Sequence, residues 1–282
     1  MQKRRYSEIL EAEMASIPLQ EGQRAFGSDP ANYERGRPNY PPQLYEILQQ
    51  ECGIGPTTHT FEIGPGTGQV TRGLLGLGVA HLTAIEPDER LSGFLAEACR
   101  DEGVGRLEIL TLTFEAAPLV ERAFGLGIAA TAFHWLEAGP ALAKVFRLLR
   151  PGGWWVACWN IFNDPFTPDP FREATSHLFR DLAKTPSFGE GDRRPFGLDV
   201  EARTQELTAA GFQRISSTVV RRTMILDTDS VLALYATFSQ VTRLLEGDRL
   251  QFMRSLKRIA QDEFEGKVPR TFLTPIYWAQ RP

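Results

Sequence analysis

From about residue 58 to residue 160, short apolar runs alternate with stretches whose apolar positions recur every three to four residues. Runs of the first kind suit strands of a buried parallel sheet and stretches of the second kind suit helices laid over it, so the pattern predicts successive βαβ units. The first strand reads His59-Thr60-Phe61-Glu62-Ile63 and passes into Gly64-Pro65-Gly66-Thr67-Gly68, after which a helix is expected over residues 69–77. Residues 81–85 form the second strand, and Asp88 can cap a helix over 89–100. Residues 107–112 and 126–131 read as third and fourth strands. A helix over 141–149 is broken by Pro151-Gly152-Gly153, and aromatic and β-branched residues make 154–159 a fifth strand.

Outside this stretch the pattern changes. Five prolines punctuate residues 163–200 around one expected helix, 171–182, which suits an inserted cap better than a sheet core. A helix over 200–210, a strand over 215–221, helices over 229–245 and 249–265 and a strand over 272–279 complete the chain. Ahead of the first strand, residues 1–50 look helical in parts, with a helix from 43 to 50, and could lie as a lid over the strand ends. The expected organisation is a lid over 1–50, a core over 51–162, a cap over 163–200, and over 201–282 the rest of the core sheet with further cap helices.

Composition narrows the class. The chain has 282 residues, 42% hydrophobic and 23% charged, as ordinary globular proteins do. Its formal net charge is -4 and the short run Lys3-Arg4-Arg5 is its most basic stretch, which argues against nucleic acid as the partner. Cys52, Cys99 and Cys158 are far apart, suiting reduced thiols rather than a metal or redox pair. Acids interrupt any signal-like apolar run near the N-terminus, and no stretch approaches the roughly 20 apolar residues that span a bilayer, so a soluble cytoplasmic protein with no membrane partner is expected.

The strand that ends in glycines at alternate positions and opens a helix carries the strongest chemical signal. Glycine lets the backbone take unusual angles and approach a ligand closely, and the helix start offers free N–H groups. A dinucleotide fingerprint would put its third glycine at position 69, where this chain has Gln69, so a nicotinamide enzyme is the weaker reading. Glu86, ending the second strand, can accept hydrogen bonds from both hydroxyls of a ribose.

The ordered set Glu62 to Gly68, Ala84-Ile85-Glu86-Pro87 and Leu148-Leu149-Arg150-Pro151-Gly152-Gly153 resembles class I S-adenosylmethionine-dependent methyltransferases. Phe133-His134-Trp135-Leu136 and the stretch from Tyr33 to Pro41 resemble their small-molecule branch, of the type 11 kind. The resemblance implies an α/β, Rossmann-like fold with a mostly parallel seven-stranded sheet, helices on both faces, an N-terminal helical lid and an inserted helical cap. It implies that S-adenosylmethionine is the cofactor and S-adenosylhomocysteine the product, with no metal. Gly64, Pro65, Gly66 and Gly68 would line the methionine part, Glu62 would lie near its amino group, Glu86 and Pro87 would hold the ribose, Phe114 and Glu115 would flank the adenine, and Ala130, Thr131 and Ala132 would sit under the sulfonium. Tyr33 and Arg37 would close over it, Arg37 toward the carboxylate. The chain departs from the pattern at Gly125, where an acid is common, and at Thr113-Phe114, where Gly-Asp is common.

His134 could act as a general base on the substrate, or His134 and Trp135 could simply shape the pocket wall. Phe162, Phe166, Phe171 and Phe238 are candidates for substrate walls. The reaction expected is methyl transfer to an O, N, S or C nucleophile of a small molecule. Its rivals are a cofactor-dependent reaction of the same fold without transfer, a non-catalytic cofactor-binding module, and a nicotinamide-dependent oxidoreductase.

Overall fold

The alternating pattern resolves into a seven-stranded sheet in a computed structural model that describes residues 29–162, 164–180, 182 and 194–282. Its strands are β1 (His59–Ile63), β2 (His81–Ile85), β3 (Leu107–Leu110), β4 (Phe124–Ala130), β5 (Leu149–Cys158), β6 (Gln213–Asp227) and β7 (Lys267–Gln280). They run in the order β3-β2-β1-β4-β5-β7-β6. The first five are parallel, and β7 runs antiparallel to β5 and β6. The strand order reverses between β1 and β4, the point at which a crevice opens at the strand C-termini of α/β sheets.

Helices cover both faces, as the amphipathic stretches require. On one face α2 (Pro42–Gln50), α3 (Gln69–Gly76) and α4 (Glu89–Ala98) bury Leu44, Leu48, Leu74 and Leu95 against Leu82 and Leu126. On the other, α5 (Ala138–Leu148) and α7 (Val200–Ala209) bury Val145, Leu148 and Leu207 with Phe61, Trp155 and Phe212. Each large apolar side chain so buried contributes roughly 1.5–3 kcal/mol. A third cluster lies over the strand ends. There α6 (Pro170–Thr175), α8 (Thr228–Ala236), α9 (Ser239–Thr242) and α10 (Glu246–Asp262) gather Phe171, Leu234, Tyr235, Leu256 and Phe272. The N-terminal α1 (Pro30–Gly36) is capped by Asp29, whose carboxylate accepts from Asn32 N. It packs on α8 so closely that a Cβ on Gly36 would stand 2.4 Å from the Ala233 carbonyl oxygen.

Several boundaries differ from expectation, each for a local reason. β4 begins at Phe124, so Gly125 and Gly127 lie within it; a Cβ on Gly127 would stand 2.3 Å from the Phe61 ring, and the glycine makes room for that ring. Pro151-Gly152-Gly153 lies inside β5, where Gly152 N donates to Arg281 O and Arg281 N to Gly153 O. β6 and β7 outrun their predicted lengths because much of β6 is solvent-facing, which hides it from a search for apolar runs. The helix expected over 171–182 ends at Thr175, whose hydroxyl donates back to the Phe171 carbonyl, and continues as a 3₁₀ turn, Ser176–Phe179. The helix expected over 229–245 is divided at Phe238, whose extended backbone precedes α9. Residues 1–28 of the expected lid, and residues 163, 181 and 183–193 of the expected cap, lie outside the described residues. Among the described residues no helix is long and apolar enough to cross a membrane.

Candidate functional site

Where β1 ends, Gly64, Gly66 and Gly68 all take positive φ, 63°, 58° and 90°. A Cβ would stand 2.6 Å from the Ala132 side chain at Gly64 and 2.5 Å from Leu95 at Gly68, so these two glycines serve packing as well as the turn. At Gly66 a Cβ would meet nothing within 4 Å, because Gly66 faces a cavity of about 670 Å³.

That cavity runs from the glycine turn along the strand C-termini and under the third hydrophobic cluster. Its turn end is acidic. Glu62 is buried, with Oε2 accepting from the Thr71 hydroxyl at 2.6 Å, and burial raises its carboxyl to about 7. Glu86 accepts from Gly66 N and from Asp88 N, both at 3.1 Å, and burial raises it to about 7 as well. Pro65, Pro87, Phe114 and Glu115 line the same end. The Phe114 loop is pinned from α5, since Lys144 Nζ donates to the carbonyls of Phe114, Glu115 and Ala117 at 2.6, 3.0 and 2.8 Å.

At the middle of the cavity β4 gives way to Thr131, a β-branched residue at φ 55°, a geometry that costs of order 1–3 kcal/mol and persists only where its surroundings enforce it. They do. Thr131 Oγ1 shares a 2.6 Å hydrogen bond with the Tyr40 hydroxyl and accepts from Asn160 N at 3.1 Å. Asn160 in turn donates to Pro38 O at 3.0 Å and accepts from the Thr274 hydroxyl at 2.8 Å. Four remote segments therefore meet at one strained residue beside Ala130 and Ala132, which also line the cavity.

His134 and Trp135 follow in a 3₁₀ turn. His134 is buried, and Trp159 Nε1 donates to its Nδ1 at 3.1 Å. Burial first, and the Arg37 charge second, hold the imidazole down to about 3, so it is neutral. With Nδ1 accepting, the ring proton sits on Nε2, which leaves no free lone pair for proton abstraction. The expectation of a general base meets this obstacle; His134 is arranged to donate.

Tyr33 and Arg37 stand across the cavity. The Arg37 guanidinium lies 4.4 Å from the Phe162 ring centroid, 5.0 Å from Tyr33 and 5.5 Å from Phe238, while Nη2 donates to Thr237 O at 3.1 Å. Phe162 and Phe238 line the cavity, as substrate walls would. The other two expected walls do not. Phe171 is fully buried between Tyr235 and Phe264, filling the third cluster, and Phe166 is 65% exposed with Arg194 over its ring. Gly68 also stays out of the lining, turned toward Leu95 and Cys99. Sequence reasoning missed Tyr40, Trp159 and Asn160 as site residues. The last two directly follow β5, and a search of every strand C-terminus would have found them.

Sheet order, glycine turn and strand-end acid together define the class I, Rossmann-like methyltransferase fold. A family model described as a methyltransferase domain matches residues 61–157, and this stretch is a methyltransferase domain of that type 11 family, of the S-adenosylmethionine-dependent class. An uncharacterized methyltransferase of Schizosaccharomyces pombe is 24% identical over 273 residues, 92% of this chain and 97% of the relative. One of Mycobacterium bovis is 32% identical over 136 residues, 48% of this chain; the match spans about half, 52%, of that relative's length. Among solved structures, a phosphoethanolamine N-methyltransferase of Haemonchus contortus, in complex with phosphomonomethylethanolamine and S-adenosylhomocysteine, is 12% identical with a TM-score of 0.55, over 91% of this chain and 57% of that one.

Proposed function

We propose that the chain transfers the methyl group of S-adenosylmethionine to an O, N, S or C nucleophile of a small-molecule substrate held in the same cavity. The observation that carries this reading is one cavity with two differently built ends: an acidic glycine turn at one, an aromatic chamber at the other.

The turn end fits the cofactor. Gly66 presents backbone to open space, a place any side chain would fill. Glu86 would accept from ribose hydroxyls and Glu62 from the amino group. Both carboxyls titrate near 7 in the folded protein, and cationic or hydroxyl donors favour their charged form, so binding is accompanied by proton release around neutrality. Phe114, held by Lys144, would flank the adenine, and Ala130 to Ala132 would lie under the sulfonium. When bound, S-adenosylmethionine supplies a methyl group already activated by the sulfonium. The protein is left to orient the nucleophile and exclude water, and orientation of this kind is worth up to about 7–11 kcal/mol. His134 Nε2–H serves as a donor to the substrate. Of the described residues, α1 and α2 act as a lid, and residues 164–180 and 194–200 with α8, α9 and α10 as a cap, in a cytoplasmic protein that does not act on nucleic acid.

The test is to incubate purified protein with S-adenosylmethionine and a panel of small acids, phenols, amines and thiols, measuring S-adenosylhomocysteine. A substrate-dependent rise supports transfer. Cofactor binding without that product, for every compound, supports a non-transfer reaction or a binding module instead.

A further inference from the structure

The charged residues along the cavity are sorted by sign. Glu62, Glu86 and Glu115 stand toward the glycine turn, while Arg37, Arg172, Arg180 and Arg270 stand toward the third cluster. Arg270 is committed to structure: it is 2% exposed, its Nη1 pairs with Asp169 at 2.5 Å, and its Nη2 donates to Phe162 O at 2.6 Å. That pair takes up Asp169. Arg172 and Arg180, from α6 and the turn after it, have no carboxylate partner among the described residues, and neither does Arg37, which is held by aromatic rings and one carbonyl. Arg172 and Arg180 are exposed and Arg37 is half-buried, and guanidinium groups that face one cavity without a paired carboxylate create a positive field that an anion can neutralise. The field is felt on both sides of the chamber. Burial first and Arg37 second depress the His134 imidazole, and at the Tyr235 phenol, raised by burial, Arg270 and Arg172 pull downward against Asp169. Neutral donors, Ser176 and Gln240, stand among the same residues.

We propose that the substrate carries an anionic group, carboxylate or phosphate, bound by Arg172, Arg180 and Arg37, with its methyl-accepting atom toward Thr131 and His134. This rests on the methyltransferase reading and names the substrate class within it. The anion orients the molecule along the cavity, leaving Phe162 and Phe238 to cover its apolar body. The acids at the opposite end repel the same group and so fix the direction of entry.

The experiment is calorimetry on protein saturated with S-adenosylhomocysteine, titrated with matched probes: benzoate and benzamide, adipate and adipamide, phenyl phosphate and phenol. At least one anion binds while its neutral counterpart does not, and the carboxylate and phosphate arms tell which anion is preferred. R172Q combined with R180Q weakens that binding by about ten- to a hundredfold, the loss of two charge-assisted contacts, with the affinity for S-adenosylhomocysteine unchanged. Either single variant loses less. Anions that bind no better than their neutral counterparts, anions that do not bind at all, or an anion indifferent to the double substitution overturn the proposal. Failure of the wild-type protein to bind S-adenosylhomocysteine would overturn the methyltransferase reading instead.

Discussion

At the turn end of the cavity the two buried carboxylates are tied to the sheet and to the helices that leave it: Glu62 to Thr71 on α3, Glu86 to the backbone of Gly66 and Asp88. At the far end the wall comes from α1, α6, α8 and Arg270 of β7; α6, α8 and β7 share a hydrophobic cluster of their own, and α1 packs on α8. The first end is a rigid cradle built from local sequence. The second is a chamber assembled from distant pieces, free to differ in shape without disturbing the cradle, which is how one fold serves many substrates.

This division is broken most severely at Phe171. Truncation to alanine empties the middle of the third cluster and costs about 3–5 kcal/mol of stability in denaturant unfolding, with the chamber lost before the cradle. Glu86→Ala strikes the other end, weakening S-adenosylhomocysteine binding by about 1–3 kcal/mol in calorimetry through loss of charged hydrogen bonds, with little effect on the chamber. Gly36→Ala forces α1 away from the Ala233 carbonyl at a cost of about 1–3 kcal/mol, and is expected to raise KM for the substrate more than it lowers folding of the sheet.

Acidity sharpens the same contrast. Glu62 and Glu86 have an ordinary value of 4.5 and titrate near 7 when folded. Between those values the folded protein holds more protons than the unfolded chain, so the empty protein loses stability as pH rises through that window. A ligand that needs the charged carboxylates binds more tightly as pH rises through about 7, a dependence that Glu86→Ala flattens. The smallest effect is at Phe166, where alanine changes stability by no more than about 0.5 kcal/mol because the ring is already in solvent.

The cradle was legible in the sequence because its residues are neighbours in sequence: a strand, three spaced glycines and an acid ending the next strand. The seven strands could also be read, since their apolar cores lie in runs. The chamber was not. Phe171 and Phe166 look alike in sequence, yet one fills the cluster and the other faces solvent, a difference set by packing between segments some sixty to a hundred residues apart. The Trp159 bond that fixes the proton on His134, and the meeting of Tyr40 and Asn160 at Thr131, are likewise long-range. The full reach of β6 escaped because it is an edge strand with no fully buried residue, so no alternation of apolar and polar positions marks its length.

The central claim, that the glycine turn cradles the cofactor, is tested most directly by calorimetry of the wild-type protein and Gly66→Leu with S-adenosylhomocysteine and with NAD. The wild-type protein is expected to bind S-adenosylhomocysteine stoichiometrically and NAD not at all, and the folded Gly66→Leu protein to bind neither. Undiminished binding of S-adenosylhomocysteine by Gly66→Leu, or preference of the wild type for NAD, would contradict that claim.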